Sequence, residues 1–346
     1  MASRTETMAM RRALVLAATP GVPMVADTRR VGCVLLDPAG AVVAEGFHRG
    51  PGTAHAEADA LARAGDKARG ATAVVTLEPC NHIGRTGPCT QALIAAGVAR
   101  VVYAEADPNR VAAGGEQVLR AAGIDVESGV LAAEAADLTR IWALAQAKQR
   151  PYVTWKFATT LDGRSAAADG TSRWVSSPAA RSDTHRLRAL SDVMLVGTNT
   201  VAVDNPAMTV RDARDRPVGT QPLRAVMGVR DLPADRRIFD DQAPSIRLRT
   251  TDPAEALAQL WAMDRQHVFL EGGPTLAAAF VKARLVDRIV SYVSPMLLGA
   301  GPNAVGDLGI GTIADALRPR VVDVIALPAP AEVQVEPNIR ITMEVD

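Results

Sequence analysis

Cysteine is nearly absent from this chain: three residues in 346. So few thiols cannot build a disulfide framework, and the sequence reads as that of a reduced, cytoplasmic protein. A surplus of one charge is missing as well. Lys and Arg number 38, Asp and Glu 38, and the net charge is zero. A protein that grips nucleic acid needs a basic surplus to displace counterions, and neither half of this chain has one. Aromatic residues make up only 3%, too few for rows of base-stacking rings. Nucleic acid is therefore not an expected partner. Long apolar runs are lacking too. The run after Arg11-Arg12 covers only residues 13–18 before Thr19-Pro20-Gly21, short of the ~7–15 residues of an export-signal core. An N-terminal amphipathic helix is expected instead, with Met8, Leu14 and Leu16 on its buried side. The uncharged stretch 289–306 is broken by Pro295, Gly299, Gly301 and Pro302, so a membrane is not an expected partner either.

What is present is ordinary globular composition, 48% hydrophobic and 22% charged. The length favours two domains. Strand signals at 31–36, 41–45, 73–77, 100–104 and 124–127 alternate with helix signals at 55–64, 90–96 and 114–122. That alternation predicts an α/β layered domain with a largely parallel sheet. A helical stretch over 131–149 follows, and Pro151 forces an extended entry into 152–157. The boundary is placed there, giving domains at 1–148 and 151–346. Strands at 193–196, 223–227, 267–270 and 288–293, with helices at 178–190, 253–263 and 275–282, predict a second α/β domain.

Cys and His are scarce, so their clustering carries information. His55, Cys80, His82 and Cys89 crowd into one short stretch. His55-Ala56-Glu57, then Pro79-Cys80 and a later Cys89, is the pattern of zinc deaminases. One imidazole and two thiolates leave the fourth tetrahedral position to water, whose pKa zinc lowers to about 7. Glu57 is then placed to carry protons to a leaving amine. A closed structural site with His82 as fourth ligand is the competing reading. The pairing of His-x-Glu at a helix start with Pro-Cys at a strand end weighs toward catalysis. Cys33, inside an apolar strand, reads as a small core residue. Eight residues separate Cys80 from Cys89, and Gly84-Arg85-Thr86-Gly87-Pro88 makes them a shaped loop with one cation. A cation beside such a pocket suits a phosphorylated substrate.

In the second half, Lys156 sits in an apolar strand between Trp155 and Phe157 and needs a partner or a ligand there. Tyr152, Trp155 and Phe157 read as core. Trp174 follows the polar loop Gly170-Thr171-Ser172-Arg173 and reads as an exposed stacking surface. Glu271-Gly272-Gly273-Pro274-Thr275 turns an apolar strand into a helix, whose free amides suit a phosphate. It is not the Gly-x-Gly-x-x-Gly dinucleotide fingerprint.

His48, His55-Ala56-Glu57 and the segment Glu78-Pro79-Cys80-Asn81-His82-Ile83-Gly84-Arg85-Thr86-Gly87-Pro88-Cys89 resemble the bifunctional riboflavin-biosynthesis deaminase/reductase family. So, in the family's order, do residues 153–164, Ser172-Arg173-Trp174, residues 196–201, residues 204–209 and residues 271–277. The resemblance implies a cytidine-deaminase-like α/β/α domain followed by a dihydrofolate-reductase-like α/β domain. It implies deamination of a diaminopyrimidinone ribosyl phosphate, then NADPH reduction of the ribose to ribityl. His55, Cys80 and Cys89 would hold one zinc ion per chain, with Glu57 as proton shuttle and His48, His82 and Arg85 lining the pocket. Where the family often has Pro-Asn-Pro, this chain has Asp27-Thr28-Arg29, so the substrate-holding position falls to Thr28. That departure leaves an alternative: a reductase whose deaminase domain is impaired and structural. The resemblance further implies that Ala158, Trp174, Thr200, Asp204, Gly273, Pro274, Thr275 and Leu276 contact NADPH. Lys156, Ser172, Arg188, Met208, Arg211 and Glu271 would hold the reductase substrate, Arg188 and Arg211 by clamping its phosphate. Met208 stands where the family tends to have Leu. Small phosphorylated pyrimidines are the expected partners, and a homo-oligomer, first a dimer, the expected state.

Overall fold

The computed structural model of the chain describes residues 1–19, 22, 30–50, 52–82, 87–107, 114–328 and 336–345. Thr28 and Arg85 lie outside them. The chain divides into two compact units, Met1–Ala147 and Lys148–Asp346.

The first unit runs α1 (Arg4–Ala17), β1 (Gly32–Leu36), β2 (Val42–Phe47), α2 (Ala56–Ala64), β3 (Thr72–Leu77), α3 (Cys89–Ala95), β4 (Arg100–Glu105), α4 (Gly115–Ala121) and β5 (Asp125–Glu127), and α5 (Ala132–Lys148) reaches the boundary. Its sheet has the order β2-β1-β3-β4-β5. Only β3, β4 and β5 are parallel; β1 pairs antiparallel with both β2 and β3. The expected largely parallel sheet is thus a mixed one. The tight turn at Pro38-Ala39-Gly40 makes β1 and β2 antiparallel, because strands joined so closely can only run so, and β3, returning through α2, pairs with the other side of β1.

Side chains alternate across each strand, so one strand feeds two cores. Cys33 and Leu35 join Val75, Leu93, Val101 and Tyr103 in one cluster, while Val34, Leu36, Val74 and Val102 meet Met10, Ala13 and Ala135 in the other. The result is helix, sheet, helix. α1 starts on a reciprocal cap between Ser3 and Glu6 and buries Glu6, Ala9, Met10, Ala13 and Ala17. That spacing is one helical stripe, and Met8 falls off it: it is 60% exposed, contrary to expectation, whereas Leu14 and Leu16 do pack against the core. Two glycines set how close the helices come. A Cβ on Gly32 would lie 2.0 Å from the Ala13 carbonyl oxygen, and one on Gly46 would lie 2.3 Å from that of Ala56. α1 and α2 therefore rest on bare backbone, and the start of α2 is fixed by that contact.

The second unit runs β6 (Tyr152–Thr160), α6 (Pro178–Arg188), β7 (Val193–Gly197), α7 (Thr198–Asp204), β8 (Leu223–Met227), β9 (Ser245–Leu248), α8 (Pro253–Ala262), β10 (His267–Leu270), α9 (Pro274–Lys282), β11 (Arg288–Ser294), β12 (Arg320–Ala326) and β13 (Ile339–Glu344). Its eight strands are ordered β12-β13-β11-β6-β10-β7-β8-β9, parallel from β11 through β9 and antiparallel at β13 and β12. The core between the sheet and α8 and α9 is built from Val153, Trp155, Leu195, Leu257, Leu260, Leu270 and Phe280. Parallel strands deliver their C-terminal ends to one edge of the sheet, where loops and helix starts are free to hold ligands.

Candidate active sites

In the first unit His55 is the N-cap of α2 but its side chain makes no capping hydrogen bond. The ring is turned instead to two sulfurs. Cys80 lies just past the end of β3, and Cys89 is the first residue of α3. Cys80 Sγ is 3.6 Å and Cys89 Sγ 3.3 Å from His55 Nδ1, and the Cys89 amide donates to Cys80 Sγ at 3.4 Å. The three donor atoms lie within 4.8 Å of one another. Zinc bonds of about 2.3 Å to sulfur and about 2.0 Å to nitrogen, at tetrahedral angles, put S and N about 3.5 Å apart. The donor set and its spacing fit a zinc ion. Among the described residues no other group of three converges this way, and His82 is not part of it. The closed site with His82 as fourth ligand is therefore not what these residues form.

The sulfurs already share charge unequally. The Cys89 thiol donates to Cys80, His55 adds to the effect, and Cys80 falls well below the usual thiol range; the same bond, with burial, pushes Cys89 up. A bound cation is what lets both ionise. Glu57, in the first turn of α2 and 4% exposed, is pushed up to about 7 by burial and by the Cys80 charge. His48 is buried with its ring centroid 5.3 Å from that of His55, edge to face, and its Nδ1 is 3.0 Å from the Ala54 carbonyl oxygen. His82 is half-buried two residues past Cys80. Glu78 heads the family-like segment but was given no role in the sequence reading. Its buried carboxylate accepts the amides of Asp107 and Glu116, at 3.1 and 3.0 Å, and so braces the strand end that carries Cys80. Its only sequence signal was an acidic residue directly before Pro79-Cys80.

In the second unit Leu270, the last residue of β10, pairs with Trp155 of β6, which sets Glu271 level with Lys156. Lys156 Nζ lies 4.0 Å from Glu271 Oε2. Arg188, at the end of α6, donates to Glu271 twice, Nε to Oε1 at 2.6 Å and Nη2 to Oε2 at 2.9 Å, and Nη1 donates to the Thr209 carbonyl at 3.0 Å. Burial opposes ionisation of Glu271, but Arg188 and Lys156 outweigh it and hold the carboxyl down at about 2. Burial, reinforced by Arg188, pulls Lys156 below the usual lysine range. Arg211 donates from Nε to Thr209 Oγ1 at 2.9 Å and from Nη1 to Asp215 at 2.8 Å.

Beside this cluster, β7 and β10 each discharge into a helix. Gly197 is the N-cap of α7 and Gly273 that of α9, with Pro274 in its first turn. A Cβ on Gly273 would lie 3.9 Å from Thr200 Oγ1, so the glycine leaves a hollow between the two helix starts. Leu276 packs back on this turn, 2.6 Å from where a Gly272 Cβ would be. Free amides facing a hollow fit the phosphates of a dinucleotide. Trp174 is 62% exposed, and Arg181 stacks on its ring at 4.3 Å. Ser172 and Asp204 are exposed and Ala158 is half-buried. The Met208 side chain is buried among Met194, Val196, Val201 and Val226, so what it offers a ligand is backbone.

A family model for the RibD C-terminal domain matches residues 151–327, and one for the cytidine and deoxycytidylate deaminase zinc-binding region matches residues 3–105. The chain is 53% identical over 289 residues to the riboflavin biosynthesis protein RibD of Mycobacterium tuberculosis, covering 83% of this chain and 85% of that one. It is 39% identical over 320 residues to the RibD of Escherichia coli, covering 83% and 87%. Among solved structures, Acinetobacter baumannii RibD superposes with a TM-score of 0.83 at 33% identity, covering 99% of both chains. The Thermotoga maritima diaminohydroxyphosphoribosylaminopyrimidine deaminase/5-amino-6-(5-phosphoribosylamino)uracil reductase gives 0.83 at 30%, again covering 99% of both.

Proposed function

The chain belongs to the RibD family of riboflavin-biosynthesis proteins, and on that premise we propose how its residues divide the family's two reactions. It is a bifunctional enzyme, a zinc-dependent deaminase joined to an NADPH-dependent reductase. The reading assigns deamination of the diaminopyrimidinone ribosyl phosphate to residues 1–148 and reduction of the resulting aminouracil to residues 151–346. A reductase with an inert deaminase unit is not favoured.

In the deaminase, His55, Cys80 and Cys89 hold the zinc, which when bound makes water nucleophilic at neutral pH. Glu57, withdrawn from solvent at α2, takes the proton released there and returns it to the departing amine. His48, His82, Thr28 and Arg85 hold the pyrimidine and its phosphate. In the reductase, Ala158, Trp174, Thr200, Asp204, Gly273, Pro274, Thr275 and Leu276 hold NADPH, which when bound supplies the hydride. Lys156, Ser172, Arg188, Met208, Arg211 and Glu271 hold the sugar phosphate. Glu271 stays ionised and so only accepts hydrogen bonds, from ribose hydroxyls. Lys156, a buried ammonium with a lowered pKa, is the group with a proton to give as the ring opens.

The observation that carries this reading is the convergence of His55, Cys80 and Cys89 beside a buried Glu57. A coupled assay tests it, following ammonia release and NADPH oxidation from the phosphorylated diaminopyrimidinone. Both signals and one zinc per chain are expected; zinc-free protein purified without chelators would sink the deaminase half.

The reading extends to a cytoplasmic homodimer. Among the described residues no helix is long and apolar enough to cross a membrane. β12 is an edge strand whose Val321, Val322 and Val324 are 55, 48 and 59% exposed, an arrangement that another strand readily covers. Light scattering should find a dimer, and Val324→Lys should weaken it.

A further inference from the structure

Thr209 has no part in the reading above, yet it is fully buried and touches both arginines assigned to the reductase substrate. Its carbonyl accepts Arg188 Nη1 at 3.0 Å, and its hydroxyl accepts Arg211 Nε at 2.9 Å. His185, three residues before Arg188 on α6, accepts the main-chain amide of Arg211 at Nδ1, at 3.1 Å. Gln221 secures the next residue, accepting the Val210 amide at 2.7 Å and donating to the Val210 carbonyl at 3.1 Å. Residues 209–211 are thus pinned from two sides.

An arginine has more N–H donors than these contacts use, so both guanidinium groups keep some for a ligand. We propose that Thr209 and His185 are positioning residues that hold Arg188 and Arg211 as one preformed receptor for the phosphate of the reductase substrate. The proposal rests on the assignment of those arginines made above. Its physical basis is preorganisation. A long side chain that must be ordered as it grips an anion loses rotamer freedom at that moment, and Thr209 removes the loss beforehand. His185 can do its part only as an acceptor at Nδ1, which requires a neutral ring protonated at Nε2. The charged groups facing it are Arg188 on its own helix, Glu271 after β10, and Arg211 and Asp215 on the loop; burial and the cation of Arg188 keep the ring neutral.

The test compares steady-state reduction of the aminouracil ribosyl phosphate with that of its dephosphorylated counterpart. Thr209→Val, which removes the hydroxyl and keeps the shape, should raise KM for the phosphorylated substrate about tenfold with kcat within about twofold. KM for the dephosphorylated substrate should hardly move, and Thr209→Ser should restore the parent value. Because Thr209 is buried, His185→Leu with His185→Asn is the second pair: Leu has no acceptor, Asn Oδ1 replaces Nδ1, and only Leu should raise KM. Arg211→Met separates the two levels of the argument. If it raises KM for the phosphorylated substrate while folded Thr209→Val and His185→Leu leave KM unchanged, the positioning role is wrong and the arginine assignment stands. If Arg211→Met also leaves KM unchanged, both fall.

Discussion

Lys156 on β6 and Glu271, just past the end of the neighbouring parallel strand β10, face each other, 4.0 Å from Nζ to Oε2 and both mostly withdrawn from solvent. The pair is unequal, because Glu271 also carries the two-pronged bond from Arg188. Glu271→Gln leaves two cations facing no anion, and breaking a buried pair from one side costs about 3–5 kcal/mol. The reductase should be lost and urea unfolding should show a drop of about that size. Lys156→Met keeps the Arg188–Glu271 bond, so it should lose reduction with little change in stability. Equal stability losses in the two variants would contradict this ordering.

Glu57→Gln should lower ammonia release by about 10²–10⁴-fold, the usual contribution of a positioned acid–base group. Zinc content and NADPH oxidation from the aminouracil should stay at parent values. Chelation of zinc should stop ammonia release, spare the reductase and lower the thermal midpoint of the first unit.

Gly46→Ala probes the seat of the metal site rather than its ligands. The new methyl would meet the Ala56 carbonyl oxygen at 2.3 Å and the Ala60 amide nitrogen at 2.5 Å, so α2 has to move. Overpacking of this kind costs about 1–3 kcal/mol. Weaker zinc retention, seen in competition with a chromogenic chelator, should accompany it, with the reductase unaffected.

Acid should expose His185. Burial and Arg188 hold its folded pKa near 4, below the ordinary 6.5. Above pH 6.5 the ring is neutral folded or unfolded, so it contributes nothing to the pH dependence. Between 6.5 and about 4 the unfolded chain takes up a proton that the folded one resists, and stability falls as pH falls. Glu271 adds its own loss only below the ordinary carboxyl value of 4.5. The urea midpoint should therefore drop from pH 7 to pH 5 more in the parent than in His185→Asn.

Much of this was legible because the informative residues are scarce. His55, Cys80 and Cys89 stand out when thiols and imidazoles are few, and the structure draws them together. Pro151 and the strand that follows appear as read. β12 went unread because it is exposed along most of its length and carries no alternation. α7 went unread because Thr198-Asn199-Thr200-Val201 has poor helix propensity; it starts directly at the end of β7, with Gly197 as its N-cap. The phosphate clamp read from Arg188 and Arg211 gave no hint of what holds the two side chains in place. Glu271, 83 residues from Arg188, takes two of its donors, and no spacing rule connects positions so far apart. The contacts of His185 with Arg211 and of Thr209 with Arg188 also bridge 26 and 21 residues.

Leu276 bears on any attempt to re-engineer the nucleotide rim proposed above. Its side chain is turned inward, onto Gly272 and within 3.6 Å of where a Gly197 Cβ would stand, so it wedges the mouths of two neighbouring strands at once. Asp204, by contrast, is exposed. Trimming Leu276 would loosen both helix starts together, so its packing role and any ligand role cannot be varied separately.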